Sequence, residues 1–315
     1  MRKKRIFTTN QHEPTRTQRT YQTASSWLIL LIILLASCNA AKSKLATGGI
    51  VHRVISTAPS NTEIIVDLGQ AHKLIAVDKH SANIEGIPAD LPLLDFFFPD
   101  AEVIINLNPD LIIASGHNPT GSGEDPFRLL RDMGIPVVYI PMSKSIQDIY
   151  SDITLIAQLL QAEDKGEILI TVMKQQISQI ADRAALQTSS GEKLNVYFEI
   201  SAAPHMMSFG KDSFIHDMIT TIGARNIFEN ENWLVQPGAE TIIALNPDVI
   251  LTNVNYIENP IGEIKSRPGF NHINAVKNNR LYYIDTDSSV RASARIILAL
   301  RQMSDAVYLE TYENK

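Results

Sequence analysis

Cysteine is almost absent from this chain: Cys38 is the only one in 315 residues. A single cysteine excludes a disulfide framework within the chain and a thiolate cluster for zinc or iron–sulfur. The sequence also lacks G-x-S-x-G, P-loop and H-E-x-x-H motifs, and no G-x-G-x-x-G follows a strand pattern. The eight histidines are scattered, with no metal-ligand spacing among them. We therefore expect neither an enzyme nor a resident metal or cofactor.

Long apolar runs are missing as well. The run at residues 27–36 (WLILLIILLA) is about half the ~20 residues that a membrane-spanning helix needs. Because a basic N-terminus precedes it, the run is typical of a signal-peptide core. It ends in Leu35-Ala36-Ser37-Cys38, which resembles a bacterial lipobox, the site at which such a cysteine is lipidated. We expect a lipoprotein anchored to a membrane through Cys38, at the cell surface or in the periplasm.

Positive charge is concentrated in this leader. Residues 1–37 contain six basic residues and one acidic residue, whereas the whole chain has a formal net charge of −6. The remainder is therefore acidic, which argues against nucleic acid as a partner. A hydrophobic content of 44% is that of a folded globular protein.

Short strand patterns alternate with helical patterns from residue 51 onwards, which predicts an α/β fold with parallel sheets. Strands are predicted at 53–57, 74–77, 111–114, 136–140, 194–200, 248–252 and 281–284, and later helices at 212–222 and 291–310. Ser60 and Glu63 have the spacing of a capping box at the start of the first helix.

Residues 143–187 keep helical spacing without a proline, which predicts one long helix between two lobes. The predicted organisation is a signal peptide (1–37), a tether (38–50), an N-terminal lobe (51–142), a connecting helix (143–190) and a C-terminal lobe (191–315).

One phrase occurs in both lobes: EVIINLNPDLII at 102–113 and ETIIALNPDVIL at 240–251. In each copy a helix is expected to end at Leu-Asn, with the proline preventing its continuation and a buried strand following. The phrase therefore predicts the same helix-to-strand turn in two lobes of similar construction. Glu102 and Glu240 open the two copies and are not required by this turn.

The candidate site lies in the loops that follow the predicted strands, because ligands bind at the carboxyl ends of strands in open α/β sheets. These loops are rich in aromatic, methionine and amide side chains, with Arg291 as the strong cation. At the start of the predicted last helix a cation opposes the macrodipole, which favours a functional role for Arg291. The candidates are Ser60, Asn61, Phe96, Phe97, Phe98, His117, His205, Met206, Trp233, Tyr256, Asp287 and Arg291.

Such a set suits a large, partly apolar ligand that carries amides. It suits a highly anionic chelate poorly, since that ligand would require several arginines.

The chain resembles the substrate-binding proteins of bacterial ABC importers for cobalamin, haem and iron-siderophores. The resemblance rests on RVISTAPSNTEIIVDLG, the repeated phrase, GIPVVYI, FGKDSFIHDMITTIGARNIF and RPGFNHINAVKNNRLYYID. DSSVRASARIILALRQM at the C-terminus is similar to the cobalamin-binding members. The family resemblance implies two α/β lobes on a rigid helical backbone, with the ligand held between them.

The resemblance further implies that Glu102 and Glu240 dock onto arginines of the importer's membrane subunits. It implies a monomeric receptor for a corrinoid, with Asp287 and Arg291 matching cleft residues, while haem or a ferric siderophore stays open as the ligand. An enzyme with an interlobe active site and a surface adhesin are the rival classes. The missing catalytic motifs count against the enzyme, and an adhesin has no need of aromatic strand-end loops.

Overall fold

Two parallel β-sheets, one in each half of the chain, organise the molecule. The structure is a computed structural model that describes residues 49–95, 97–117, 125–188 and 193–308, without the side chains of 187 and 188. The predicted signal peptide, Cys38 and nearly all of the tether lie outside these residues.

The N-terminal lobe has a five-stranded sheet in the order β3-β2-β1-β4-β5, and all its paired strands are parallel. Its core joins Ile55, Ile104, Ile112 and Phe127. The strands are β1 (Val54–Ser56), β2 (Leu74–Asp78), β3 (Leu93–Leu94), β4 (Leu111–Ser115) and β5 (Val137–Ile140), and the helices are α1 (Pro59–Asp67), α2 (Ala101–Asn106) and α3 (Arg128–Asp132).

Two helices, α4 (Ile146–Leu160) and α5 (Glu163–Thr188), connect the lobes. The prediction of one continuous helix is wrong. Gln161 adopts a left-handed conformation (φ 56°) and ends α4. Gly166 lies at the crossing rather than at the break: a Cβ there would be 2.8 Å from the Ala157 Cβ. The two helices can therefore pack closely against each other, and α4 also contacts the N-terminal lobe through α1.

The C-terminal lobe has a four-stranded parallel sheet in the order β11-β10-β6-β8 and a small antiparallel ribbon of β7 and β9. Its core joins Tyr197, Phe228, Ile250 and Phe270. Its strands are β6 (Asn195–Glu199), β7 (Ser208–Phe209), β8 (Arg225–Asn226), β9 (Leu234–Val235), β10 (Val249–Thr252) and β11 (Leu281–Tyr283), and its helices are α6 (Phe214–Thr221), α7 (Ala239–Leu245), α8 (Pro260–Ser266), α9 (Asn274–Lys277), α10 (Thr286–Val290) and α11 (Ile296–Tyr308).

The predicted α/β class with two lobes is confirmed, and each predicted strand is present within a residue or two of its expected bounds. The last helix begins at Ile296 instead of residue 291. No helix among the described residues is both long and apolar enough to cross a bilayer.

The repeated phrase forms the predicted turn in both lobes. Asn108 and Asn246 both adopt left-handed backbone conformations (φ 45° and 44°), which asparagine tolerates better than most residues. The following aspartates then bind the start of a neighbouring strand. Asp110 Oδ2 accepts the His52 and Arg53 backbone N–H groups at 2.8 and 2.9 Å, beside β1.

Asp248 repeats this arrangement at β6. Its Oδ2 accepts the Asn195 backbone N–H at 2.9 Å, and its Oδ1 accepts the Asn274 side-chain amide at 3.2 Å. The phrase therefore attaches each helix-to-strand turn to the amino end of the adjacent strand.

We expect Asp248→Ala to lower the free energy of unfolding by about 1–3 kcal/mol, because the substitution leaves both donors without their acceptor. Urea denaturation followed by circular dichroism measures this change. Asp132→Ala is the matched control: its ion pair with Arg128 is long (3.9 Å) and mostly exposed. The control should stay within about 0.5 kcal/mol of the parent. An equal effect of both substitutions would contradict the anchoring role.

Candidate ligand-binding site

A cleft of ≈ 530 Å³ is lined by residues of both lobes. This volume lies within the ~300–1,000 Å³ range of small-molecule sites. The N-terminal lobe contributes residues at or just after the ends of β1, β2, β4 and β5. Ligands of open α/β sheets bind at these carboxyl ends of the strands. The wall opposite them includes Phe209, Phe214 and Trp233 of the C-terminal lobe.

Trp233 is presented to the cleft by an unusual backbone conformation. Its φ of 50° is rare for a large side chain and requires support from the surroundings. Its backbone N–H donates to Lys211 O at 2.8 Å, and its carbonyl accepts from Gly210 N–H at 2.7 Å. Its ring meets Phe209 edge to face, with ring centroids 5.4 Å apart. These contacts hold an aromatic pair at the surface of the cleft.

Arg291 follows α10 at its C-cap and lines the cleft. A cation at a helix C-terminus suits the macrodipole, so the sequence argument that placed Arg291 against the dipole is wrong. Its guanidinium is already paired: Nη1 lies 2.7 Å from Glu63 Oε1 and Nη2 lies 2.9 Å from Asp287 Oδ1. The cleft therefore offers a neutralised arginine instead of a free cation.

Two buried carboxylates in the cleft wall were missed in the sequence. Asp78 is fully buried at the end of β2 and accepts hydrogen bonds from Ser81 Oγ and the His80 backbone N–H. Asp152 is 6% exposed on α4 and accepts from Ser143 Oγ at 2.7 Å. Burial raises the pKa of both groups, that of Asp152 to about 6.

Both residues had a signal in the sequence. Asp78 directly follows a strand pattern, and Asp152 stands on the apolar stripe of α4 between Ile149 and Ile156. A carboxylate on a core-facing stripe indicates a buried polar role.

Seven of the twelve candidates line the cleft, and the other five do not lie there or cannot be placed. The seven in the cleft are Ser60, Asn61, Phe97, His117, Trp233, Asp287 and Arg291. Phe98 is 84% exposed, and His205 and Tyr256 are also exposed, outside the cleft lining. Phe96 lies outside the described residues. Whether the seven contact a ligand stays a prediction.

Met206 is corrected from cleft residue to core residue. It is 5% exposed within the core of the C-terminal lobe. Its Sδ accepts from Arg267 Nη1 at 3.3 Å, and Arg267 forms a buried ion pair with Glu199. A flexible methionine fills the irregular space beside this charged group.

The first helix also departs from prediction. Ala58 is the N-cap of α1 and makes no side-chain capping bond, so the capping box of Ser60 and Glu63 does not form. Glu63 is instead 2% exposed and directed to Arg291 of the other lobe. Ser60 lines the cleft.

Glu102 and Glu240 occupy equivalent places in the two lobes. Each is the second residue of a short helix, α2 or α7, and each is exposed. Neither makes a salt bridge within the described part of the chain.

Within the described ranges, no group of three or more His, Cys, Asp or Glu residues could hold a metal ion. Two α/β lobes with a mixed aromatic and polar cleft between them define a two-lobed ligand-binding protein.

Comparison with known proteins identifies the family. Residues 54–288 match the periplasmic binding protein family. The uncharacterized ABC transporter substrate-binding lipoprotein YvrC of Bacillus subtilis is 30% identical over 83% of this chain and 81% of its own length. The vitamin B12-binding protein of Vibrio campbellii is 25% identical over 85% of this chain and 92% of its own length.

A solved structure agrees with these relatives. A possible iron-binding (periplasmic solute-binding) protein of Staphylococcus epidermidis is 30% identical, with a TM-score of 0.74. The match covers 82% of this chain and 100% of that protein. The chain therefore belongs to the periplasmic binding protein family, the substrate-binding proteins of ABC transporters.

Asp152→Asn should stabilise the protein relative to the parent as pH rises from about 4 to 7. The folded-state pKa of about 6 exceeds the ordinary aspartate pKa of 3.8 because the carboxyl is buried, so the folded state binds the proton more tightly. The parent therefore loses stability as pH rises through this window. The asparagine amide does not ionise, so the variant avoids this loss, which is on the order of 1–3 kcal/mol in the free energy of unfolding. Urea denaturation at several pH values measures the difference.

Asp164→Asn is the control, since it removes a carboxylate from an exposed position of α5. A difference between Asp152→Asn and parent that does not change with pH would contradict the raised pKa.

Proposed function

We propose that this protein binds a corrinoid between its lobes and delivers it to the membrane subunits of an ABC importer. The observation that carries the ligand assignment is the charge of the cleft. Among the described residues, three carboxylates line it, those of Asp78, Asp152 and Asp287. Arg291 is the cation among the described lining residues, and it is paired with two carboxylates.

Residues 118–124 (NPTGSGE), which lie outside the described ranges, contain no lysine or arginine that could offset this charge. A ligand bearing free carboxylates would therefore meet acidic side chains without an unpaired cation to receive it, which costs free energy on desolvation. An uncharged ligand rich in amides avoids this cost, because carboxylates accept hydrogen bonds from amide N–H groups.

Corrinoids have this chemistry: amide side chains surround a large ring with apolar faces. Trp233, Phe209, Phe214 and Phe97 supply aromatic surface for such a ring. The relative named as a vitamin B12-binding protein supports the same assignment.

A haem or ferric-siderophore receptor of the same family is the second candidate. His80 and His117 line the cleft, and imidazole is a common axial ligand of haem iron. The relative described as a possible iron-binding protein also favours this reading. The carboxylates of haem, however, would enter a cleft whose wall contains Asp78, Asp152 and Asp287.

Delivery requires a second surface, which we assign to Glu102 and Glu240. Both are exposed near the start of equivalent helices, one in each lobe, and the fold does not use them in salt bridges among the described residues. Two acidic groups so placed can contact two basic groups of a symmetric membrane partner at once. Lipidation of Cys38 would hold a monomeric receptor near that partner, outside the cytoplasm.

Titration of tryptophan fluorescence ranks the possible ligands. Cyanocobalamin should quench Trp233 with a Kd of about 1 μM or tighter, whereas haemin and a ferric siderophore should bind at least about tenfold more weakly. Trp233→Phe, in the chain without the signal peptide and its Trp27, is the control: the quenching that remains reports tyrosine emission and light absorption by the ligand. The corrinoid assignment fails if haemin binds more tightly than cyanocobalamin.

Docking is tested by uptake. Glu102→Ala and Glu240→Ala should each reduce corrinoid uptake in the native host, and the double variant should reduce it at least about tenfold, as expected for charge pairs across an interface. Affinity for cyanocobalamin should stay unchanged, because neither glutamate lines the cleft.

Glu85→Ala, at another exposed position of the N-terminal lobe, is the matched control and should transport normally. Loss of ligand affinity in either docking variant, or normal uptake in the double variant, would refute the assignment.

A further inference from the structure

Glu63 connects the two lobes through a buried carboxylate. It lies on α1 of the N-terminal lobe and is 2% exposed. Its Oε1 accepts from Arg291 Nη1 at 2.7 Å, and its Oε2 accepts from Ser293 Oγ at 2.6 Å. We call Glu63, Arg291 and Ser293 the interlobe clamp.

The segment that carries Arg291 and Ser293 belongs to the C-terminal lobe. It follows α10, which is fixed to the loop after β10: Ser289 Oγ accepts from Asn253 Nδ2 at 2.9 Å, and Thr286 Oγ1 donates to Asn253 O at 2.6 Å. The clamp therefore joins parts of the chain more than 200 residues apart, across the boundary between the lobes.

The clamp adjoins the ligand cleft. Arg291 lines the cleft, as does Asp287, whose Oδ1 lies 2.9 Å from Arg291 Nη2. Nη1 is thus held by Glu63 of the N-terminal lobe. Nη2 is held mainly by Asp287 of the C-terminal lobe, and it also donates a long hydrogen bond (3.5 Å) to the His80 carbonyl oxygen of the N-terminal lobe. Without Glu63, nothing in the described chain holds Nη1 in this orientation.

Local stability of α1 does not explain the burial of Glu63. The carboxylate makes no capping bond, and its ion-pair partners in the described chain are Arg291 and, at 3.5 Å, Arg295. A buried carboxylate carries a large desolvation cost unless such partners are present. If the lobes separate, Glu63 therefore loses the groups that make its burial tolerable.

We propose that Glu63 is a positioning residue that holds Arg291 toward the ligand and ties the lobes together, so that separating the lobes releases Arg291 Nη1 from the orientation that it has in the cleft. Capture and release of the ligand are then coupled to the separation of the lobes through the Glu63–Arg291 ion pair. This inference rests on the proposed function for its ligand, but its effect on lobe separation does not.

The first test is a double-mutant cycle in cyanocobalamin affinity, using the full chain. Glu63→Gln keeps the shape of the side chain and removes its charge, and we expect affinity to fall about tenfold, equivalent to 1.4 kcal/mol. In an Arg291→Gln background the same substitution should have no further effect, because Glu63 acts through Arg291. The double variant contains no uncompensated buried charge from this pair and should therefore fold.

Glu199→Gln is the matched control. Glu199 is also buried, and Arg267 donates to its two oxygens at 2.6 and 2.9 Å, but this pair lies within the C-terminal lobe and neither residue lines the cleft. The control should lower Tm while leaving affinity within about twofold, because neither partner of this ion pair lines the cleft or contacts Arg291. Equal losses from Glu63→Gln with and without Arg291 would overturn the positioning role, and so would no loss at all.

The second test measures lobe separation without ligand. Spin labels at Leu129→Cys on α3 and Asn278→Cys after α9 occupy exposed positions in opposite lobes, with Cys38→Ser removing the native thiol. Glu63→Gln should lengthen or broaden the interlobe distance distribution, and Glu199→Gln should not.

An unchanged distribution in Glu63→Gln would disprove the clamp. Failure of the parent to bind cyanocobalamin would instead refute the corrinoid assignment, while the spin-label result would still decide whether Glu63 ties the lobes.

Discussion

Parallel pairing of the strands is the constraint on which the rest of the molecule depends. Strands that run in the same direction deliver their carboxyl ends to one edge of the sheet, and each must be followed by a connection that returns to the opposite edge. The cleft is formed by loops at the first edge. The repeated Leu-Asn-Pro-Asp turns lie at the opposite edge, where Asp110 and Asp248 bind the amino ends of β1 and β6. The loops that line the cleft and the turns that stabilise the fold therefore lie at opposite edges of the sheets.

The features that sequence reasoning predicted correctly are those determined by neighbours along the chain. Alternation of apolar runs predicted the parallel sheets, and proline after asparagine predicted both turns. The two main errors concern places where the local sequence leaves more than one choice. Gln161 ends α4 in a left-handed conformation without a glycine or proline to indicate it. Glu63 has capping-box spacing, yet an arginine 228 positions away offers it a stronger, charge-assisted bond.

The candidate site shows the same limit. Composition indicated one strong cation in the strand-end loops, but composition cannot show that Arg291 is already paired on both sides. Nor could it show that Met206 faces the core instead of the cleft, since methionine suits either environment. Burial and ion pairing are properties of distant contacts. They change the electrostatic description of this cleft from one strong cation to a paired arginine beside acidic side chains, which further favours the uncharged, amide-bearing ligand expected from the sequence.

The proposed clamp and the proposed ligand constrain each other through Arg291. A ligand with a free carboxylate would compete with Glu63 and Asp287 for the same guanidinium. Each bond gained by the ligand would then weaken the pairing that holds the lobes together and would leave Glu63 buried without its charge partner. A neutral ligand makes no such demand and can contact Arg291 while both ion pairs persist. In this arrangement the ion pair that ties the lobes also disfavours anionic ligands, so closure and selectivity have one physical origin.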